Sequence, residues 1–176
     1  MYDNLRYPIG KFEWVDHPSL DQVEKAIETL ANFSQELRKV LKGVDTIDLK
    51  KQYRPESWNI AQVIHHLADS HMHSYLRMKH AVLEEGPHIK DYKENDWAHL
   101  ADALSSDVSY SIDLISALHK RWTRFLKTLT EEHLQAYYFH PERNKKYPVG
   151  TTILLYAWHC DHHLAHIEAA LKDSHK

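Results

Sequence analysis

Four long segments with helical periodicity, separated by turn signals, constrain this chain more than any other feature of its sequence. The first, residues 19–42, opens with Ser19 and Gln22 at the spacing of a capping box, in which side chain and backbone cap each other. The second, residues 59–85, opens with the same spacing and ends at a Gly-Pro pair, which stops a helix. Both segments therefore predict long helices.

The second half of the chain repeats this organisation with one interruption. Apolar residues recur at intervals of three and four over residues 112–129, and a fourth helical pattern covers residues 151–173. Between them, residues 135–149 are rich in aromatic and turn residues, which suits a loop or a small hairpin. We expect an all-α fold, an antiparallel four-helix bundle with a small loop or hairpin inserted before the last helix.

Composition places the chain among soluble globular proteins. With 176 residues, 43% apolar and 27% charged, it suits one domain over residues 1–176. Cys160 is the only cysteine, so no intramolecular disulfide can form. Residues 1–10 lack the apolar stretch of a signal peptide, and no window approaches the ~20 apolar residues of a membrane span. We expect a cytoplasmic protein without a membrane partner.

The charge balance argues against nucleic-acid binding. The formal net charge is -3 and the pI is about 6.6, whereas nucleic-acid recognition depends on clustered lysine and arginine. The one basic group, Arg143 with Lys145 and Lys146, is too short to change this balance. We expect no nucleic-acid partner.

Histidine is the residue in excess, with 16 copies against 4 glycines. The last helix offers two pairs spaced by four, His159 with His163 and His162 with His166, and either pair could hold one metal ion. At about 100° per residue, His163 falls near the middle of the apolar arc, His159 inside it and His162 at its edge. The inward-facing pair, His159 and His163, is therefore favoured.

The second helix offers the third ligand. The apolar stripe lies closer in angle to His66 than to His65, although His71 lies closer still. Three imidazoles leave coordination positions open, which is typical of a catalytic site, and nitrogen ligation suits Zn, Ni, Co or Fe(II). Spacing alone equally allows a polar bundle interior of hydrogen-bonded imidazoles. Cys160 is interpreted as a packed small side chain, and Asp69 either as an acceptor for an imidazole or as a surface acid.

Several segments, taken together, resemble the DinB-like superfamily, and most closely its YfiT-type branch of metal-dependent hydrolases. The likeness is carried by residues 4–10, 54–71, 118–122, 138–141 and 158–167, in chain order. It implies a four-helix bundle with a three-histidine metal site, one ligand from the second helix and two from the last. Matched by motif, these ligands are His66, His159 and His163, the set that the helical-face argument favours.

The resemblance also implies a metal, an assembly and a choice of reactions. It suggests one nickel or zinc ion per chain, a homodimer, and a hydrolase that acts on a small molecule. Related bundles transfer groups with a low-molecular-weight thiol, so a bacillithiol-type S-transferase is the alternative, and a metal-binding module without turnover is a second. No glutamate adjoins a ligand histidine as in His-Glu-x-x-His metalloproteases, and the sequence identifies no catalytic acid or base.

Overall fold

Four long helices form the body of the structure, a computed structural model that describes residues 3–172. In chain order the elements are α1 (Asp3–Arg6), α2 (Leu20–Val40), a 3-10 turn (Asp48–Lys50), α3 (Ile60–Leu83), α4 (Glu94–Trp97), α5 (Ser109–Leu126), α6 (Glu131–Gln135), β1 (Tyr137–His140), β2 (Lys145–Pro148) and α7 (Val149–Lys172).

Both predicted capping boxes are present. The Ser19 hydroxyl accepts from the Gln22 amide at 3.2 Å, and the Gln22 side chain accepts from the Ser19 amide at 2.9 Å. Asn59 and Gln62 make the same reciprocal pair at the start of α3. Because two otherwise unpaired amides are satisfied at each start, these sequences begin their helices where predicted. The last helix starts at Val149, two residues earlier than expected, and residue 173 lies outside the described chain.

The four long helices pack in the cyclic order α2, α5, α3, α7. Helices α3 and α7 run antiparallel, since Ser70 contacts Tyr156 while His66 contacts His163. Helices α3 and α5 run parallel, because His71 meets His119 and, further along both helices, the Tyr75 ring meets the Phe125 ring. Parallel neighbours need a long connection, which residues 84–108 provide.

A two-stranded hairpin precedes the last helix, as predicted. Strands β1 and β2 pair antiparallel, with Tyr138 opposite Tyr147. The hairpin contacts α3 and joins the segment after it, where the Ile89 amide donates to the Phe139 carbonyl at 3.1 Å. Gly86 lies against the Tyr137 ring at a φ of +58°, where a side chain would collide with the ring. The predicted fold class, an all-α four-helix bundle with this insertion, is confirmed, although the neighbours α3 and α5 run parallel where an antiparallel bundle was expected.

The bundle interior is apolar at most positions but contains several imidazoles. Leu30, Ile64 and Trp122 are fully buried, as is His71. No helix within residues 3–172 combines the length and the apolar character that a membrane span requires. The feature that needs explanation is therefore the group of buried histidines between α3, α5 and α7.

Candidate metal centre

Three histidines converge where α3 faces α7. His159 and His163 are one turn apart on α7, and the antiparallel neighbour α3 brings His66 against both. One ligand atom from each lies within 4.8 Å of the others. His66 and His163 are buried and His159 is partly buried. The structure therefore brings together the three side chains that the sequence singled out.

The spacing of two nitrogens suits one shared ion. The Nε2 atoms of His66 and His159 are 3.3 Å apart. Two imidazole nitrogens that each lie 2.0–2.1 Å from a tetrahedral zinc ion would be about 3.3 Å apart. The donor set, three imidazoles, therefore fits a divalent transition metal in both chemistry and separation.

The Nδ1 atom of each of the three imidazole rings contacts a side chain outside the cluster. The His66 Nδ1 is 3.3 Å from the Tyr92 hydroxyl, the His159 Nδ1 is 3.0 Å from the His71 Nε2, and the His163 Nδ1 is 3.4 Å from the His166 Nδ1. Outer partners of this kind fix the orientation of a metal-binding imidazole. They leave the Nε2 edge of all three rings available at the centre.

A chain of hydrogen bonds sets the tautomer of His159. The Leu30 carbonyl, which can only accept, takes the Nδ1–H of His119 at 2.7 Å. The Nε2 of a neutral His119 must then accept from the His71 Nδ1–H at 2.7 Å, and the His71 Nε2 must accept from the His159 Nδ1–H. The lone pair of His159 is thereby placed on Nε2, where a metal needs it.

A shorter chain acts on His163. The Arg6 carbonyl accepts from the His166 Nε2–H at 3.1 Å, which makes the His166 Nδ1 an acceptor. The His163 Nδ1 therefore donates to it, and the lone pair of His163 also lies on Nε2.

Burial keeps these imidazoles neutral in the metal-free protein. Loss of hydration lowers the pKa of His66 to about 3 and that of His119 to about 4. The pKa values of His71, His159 and His163 fall well below their usual value, first through burial and then through neighbouring imidazoles. Because a metal binds only the neutral ring, the site is ready for metal without losing protons at neutral pH.

The centre opens into a cavity of about 600 Å³, a size typical of small-molecule sites. All three histidines line it. Its walls are mainly aromatic and include Trp14, Trp58, Tyr92, Tyr138, Tyr147, Tyr156 and Trp158. A small molecule in this cavity could reach the Nε2 edges of the cluster.

The competing candidates lie outside the cluster. His162 stacks on Trp158 with ring centres 4.4 Å apart. His166 uses both nitrogens for other partners, so the alternative pair of His162 and His166 is not formed. His65 faces α5, where its Nδ1 bonds the Ser111 hydroxyl and its Nε2 donates to a backbone carbonyl.

Cys160 belongs to a second group, in which it lies near His71 and His119. Burial raises the pKa of its thiol well above the usual value, so the thiol stays protonated. Both nitrogens of His71 and of His119 are already hydrogen-bonded. This group therefore has no lone pair to offer an ion, and it supports the first cluster instead.

Sequence reasoning missed the residues that hold the three rings. His71 gave a signal, since it lay closest to the apolar stripe, but a helical projection does not distinguish a ligand from its support. His119 also lies on the inward face of α5, between the buried Leu118 and Trp122. Tyr92 lies in a connection without periodicity and gave no signal. Asp69 was one candidate acceptor for an imidazole N–H. The side chains that contact the Nδ1 atoms of His66 and His159 are instead Tyr92 and His71.

Comparison with known proteins places the chain in a family. The sequence model of the DinB superfamily matches residues 29–167. A protein of Halalkalibacterium halodurans is 40% identical over 166 residues, covering 94% of this chain and 96% of that protein. YfiT of Bacillus subtilis is 38% identical over 164 residues, covering 93% of this chain and 92% of YfiT. The names of both relatives propose a metal-dependent hydrolase.

A solved structure agrees over the full fold. YfiT from Bacillus subtilis, described as a probable metal-dependent hydrolase with an unusual four-helix bundle topology, superimposes with a TM-score of 0.94 at 37% identity. The match covers 97% of each chain.

Proposed function

Because this chain belongs to the DinB superfamily, we propose that it is a metal-dependent hydrolase whose ion, nickel or zinc, is held by His66, His159 and His163. The observation that carries the proposal is the convergence of three imidazoles, with one nitrogen of each within 4.8 Å of the others, on a cavity lined by aromatic side chains. Three ligands from the protein leave room for water and substrate, as in catalytic rather than structural sites. The stoichiometry proposed is one ion per chain.

The chemistry divides between the ion and the surrounding residues. A bound divalent ion would act as a Lewis acid and make water a better nucleophile at neutral pH. His159 and His163 hold their Nε2 lone pairs inward, Tyr92 and the two imidazole chains keep the rings in place, and aromatic side chains line the cavity. Asp91 and Glu94 also line the cavity and are its acidic side chains.

His119 is proposed as a positioning residue that acts through His71 on His159. His119→Phe keeps a ring but removes the acceptor for His71, so we expect metal affinity to fall about 10-fold to 100-fold. His65→Phe is the matched control. His65 is also buried and makes two hydrogen bonds, but it is not part of the hydrogen-bond chain that runs from Leu30 to His159. Both variants should lose stability, on the order of 1–3 kcal/mol. Calorimetric titration with metal measures the affinity of each variant, and thermal unfolding measures its stability. Equal losses of metal affinity in His119→Phe and His65→Phe would contradict the positioning role.

The reaction itself is tested on substrates. Metal-loaded protein should hydrolyse members of a panel of small esters and amides, and His163→Ala should lose that activity. Consumption of an electrophile only when a low-molecular-weight thiol is added would favour the alternative, a bacillithiol-type S-transferase. Metal binding without turnover in either assay would favour the second alternative, a non-catalytic metal-binding module.

The remaining parts of the proposal concern setting and partners. We propose a single domain over residues 1–176, a cytoplasmic location, a homodimer and a small-molecule substrate. The net charge of -3 gives no support for a nucleic-acid partner. Sedimentation of the purified protein tests the dimer, for which a mass of twice 20.8 kDa is expected.

A further inference from the structure

One arginine lies in the same cavity as the histidine cluster. Arg77 follows His66 by three turns on α3 and lies on nearly the same face of the helix. It is 8% exposed, and it lines the cavity together with all three histidines. Arginine is rarely buried without a paired anion.

The contacts of Arg77 leave its charge without an anionic partner. Its Nη2 donates to the Lys90 carbonyl at 3.1 Å, and its guanidinium carbon is 6.0 Å from the centre of the Tyr92 ring. Its Nε is buried without a hydrogen-bond partner within residues 3–172. The nearby carboxylate Asp91 bonds His140 at 3.2 Å, and no ion pair in the described chain includes Arg77.

The buried, unpaired guanidinium of Arg77 favours the binding of an anion. One neutral carbonyl offsets little of the cost of removing a guanidinium from water, whereas a carboxylate would supply an opposite charge and accept two N–H groups. A guanidinium fork matches the two oxygens of a carboxylate. Arg6, Lys11 and Arg143 are exposed cations that also line the cavity, and they would attract an anion toward it.

The distance to the metal centre suits a small molecule. The Tyr92 ring that lies beside Arg77 also lies 6.5 Å, centre to centre, from the His66 ring, and its hydroxyl contacts the His66 Nδ1. One tyrosine therefore separates the guanidinium from the histidine cluster. The guanidinium carbon is at most 12.5 Å from the centre of the His66 ring, the sum of 6.0 and 6.5 Å, so an acid of about the size of hippurate could reach both.

We propose that Arg77 binds a carboxylate of the substrate, so that this chain acts on small organic acids whose reactive bond lies at the histidine cluster. The assignment of the anion to a substrate rests on the proposed hydrolase function. The aromatic walls suit an apolar or aryl body between the carboxylate and the reactive bond.

Calorimetric titration of small acids into the metal-free full chain tests the carboxylate site. Without metal, the acids cannot be hydrolysed at an ion or bind to one directly. The probes are hippurate and benzoate, with hippuramide as the uncharged analogue of hippurate and inorganic phosphate as the other anion. Arg77→Met should weaken hippurate or benzoate binding about 10-fold or more. Arg77→Lys keeps the charge without the fork and should also bind the acids more weakly. Arg124→Met, which removes an exposed arginine of α5 outside the cavity, should bind as the wild type does.

The outcomes separate this inference from the metal proposal. Hippuramide should bind weakly to every variant. Equal affinity of the acids for wild type and Arg77→Met, or no Arg77-dependent binding of either acid, would overturn the carboxylate site; Arg77-dependent binding of phosphate in preference to both acids would do the same. If Arg77→Met does not fold by circular dichroism, Arg77→Lys decides the comparison. Arg77-dependent acid binding in a chain that takes up no metal would support the carboxylate site and overturn the proposed metal centre.

Discussion

Replacing His163 with alanine should weaken nickel or zinc binding about 100-fold or more, because it removes one of three ligands and leaves the ion with two. His162→Ala should change the affinity by no more than about threefold, since the His162 ring stacks on Trp158 and is not part of the three-nitrogen group. The two residues are adjacent on α7, so the pair is a sharp test of helical register. Competition with a chelating dye of known affinity measures both.

Equal losses in the two variants would mean that the pair of His162 and His166 shares in binding. A loss confined to His162→Ala would reverse the assignment. Circular dichroism of both variants excludes unfolding as the cause of a loss.

Acid should unfold the metal-free protein between about pH 4 and 6, because its buried histidines take up protons when the chain unfolds. A histidine in the unfolded chain has a pKa near 6.5, whereas burial lowers the pKa of His66 to about 3 and that of His119 to about 4. Between these values the unfolded chain binds protons that the folded chain does not. The stabilisation is therefore complete above pH 6.5 and is lost as the pH falls toward 4.

The size of this effect follows from the number of buried rings. Each such histidine removes about 1.4 kcal/mol of unfolding free energy per pH unit. His66 and His119 together therefore remove about 3 kcal/mol per unit, and His71, His159 and His163, whose pKa values shift in the same direction, add to this loss. A typical domain has a stability of about 5–15 kcal/mol. Unfolding is thus expected between about pH 4 and 6.

Acidic groups with a raised pKa oppose this trend, and burial raises the pKa of Asp161 as well as that of Asp69. Burial raises the pKa of Asp69 to about 6, so its protonation favours the folded state as the pH falls below that value. This gain offsets part of the unfolding free energy that one histidine removes. Urea unfolding by far-ultraviolet circular dichroism, in the presence of a chelator and at half-unit steps from pH 7.5 to 4, measures the balance. An unfolding free energy that stays constant from pH 7 to 5 would contradict neutral burial of the cluster.

Local features of the sequence predicted the fold well. The capping boxes at Ser19 and Asn59 determined where two helices begin, because each cap satisfies its own backbone amides. The aromatic and turn residues before the last helix predicted a loop or a small hairpin, and the structure has the hairpin. The apolar arc of α7 separated His159 and His163 from His162, since a fixed angle per residue relates a position on the helix to the direction of its side chain.

Other features depend on which helices are neighbours, and periodicity does not contain that information. The parallel packing of α3 and α5 brings His119 against His71. The supporting roles of both histidines could be assigned only from this contact. Tyr92 reaches His66 from an irregular connection. The importance of Arg77 comes from its unpartnered Nε and from the lack of an ion pair to it within residues 3–172, which are properties of the packed structure and not of a sequence window.

The most direct test of the three-histidine centre is elemental analysis of untagged protein, purified without chelators and compared with the His66→Ala, His159→Ala and His163→Ala variants. The account predicts about one nickel or zinc ion per chain in the wild type and a large loss of metal in each variant. A wild-type chain that holds no transition metal even after reconstitution would contradict it, and so would full metal content in any of the three variants.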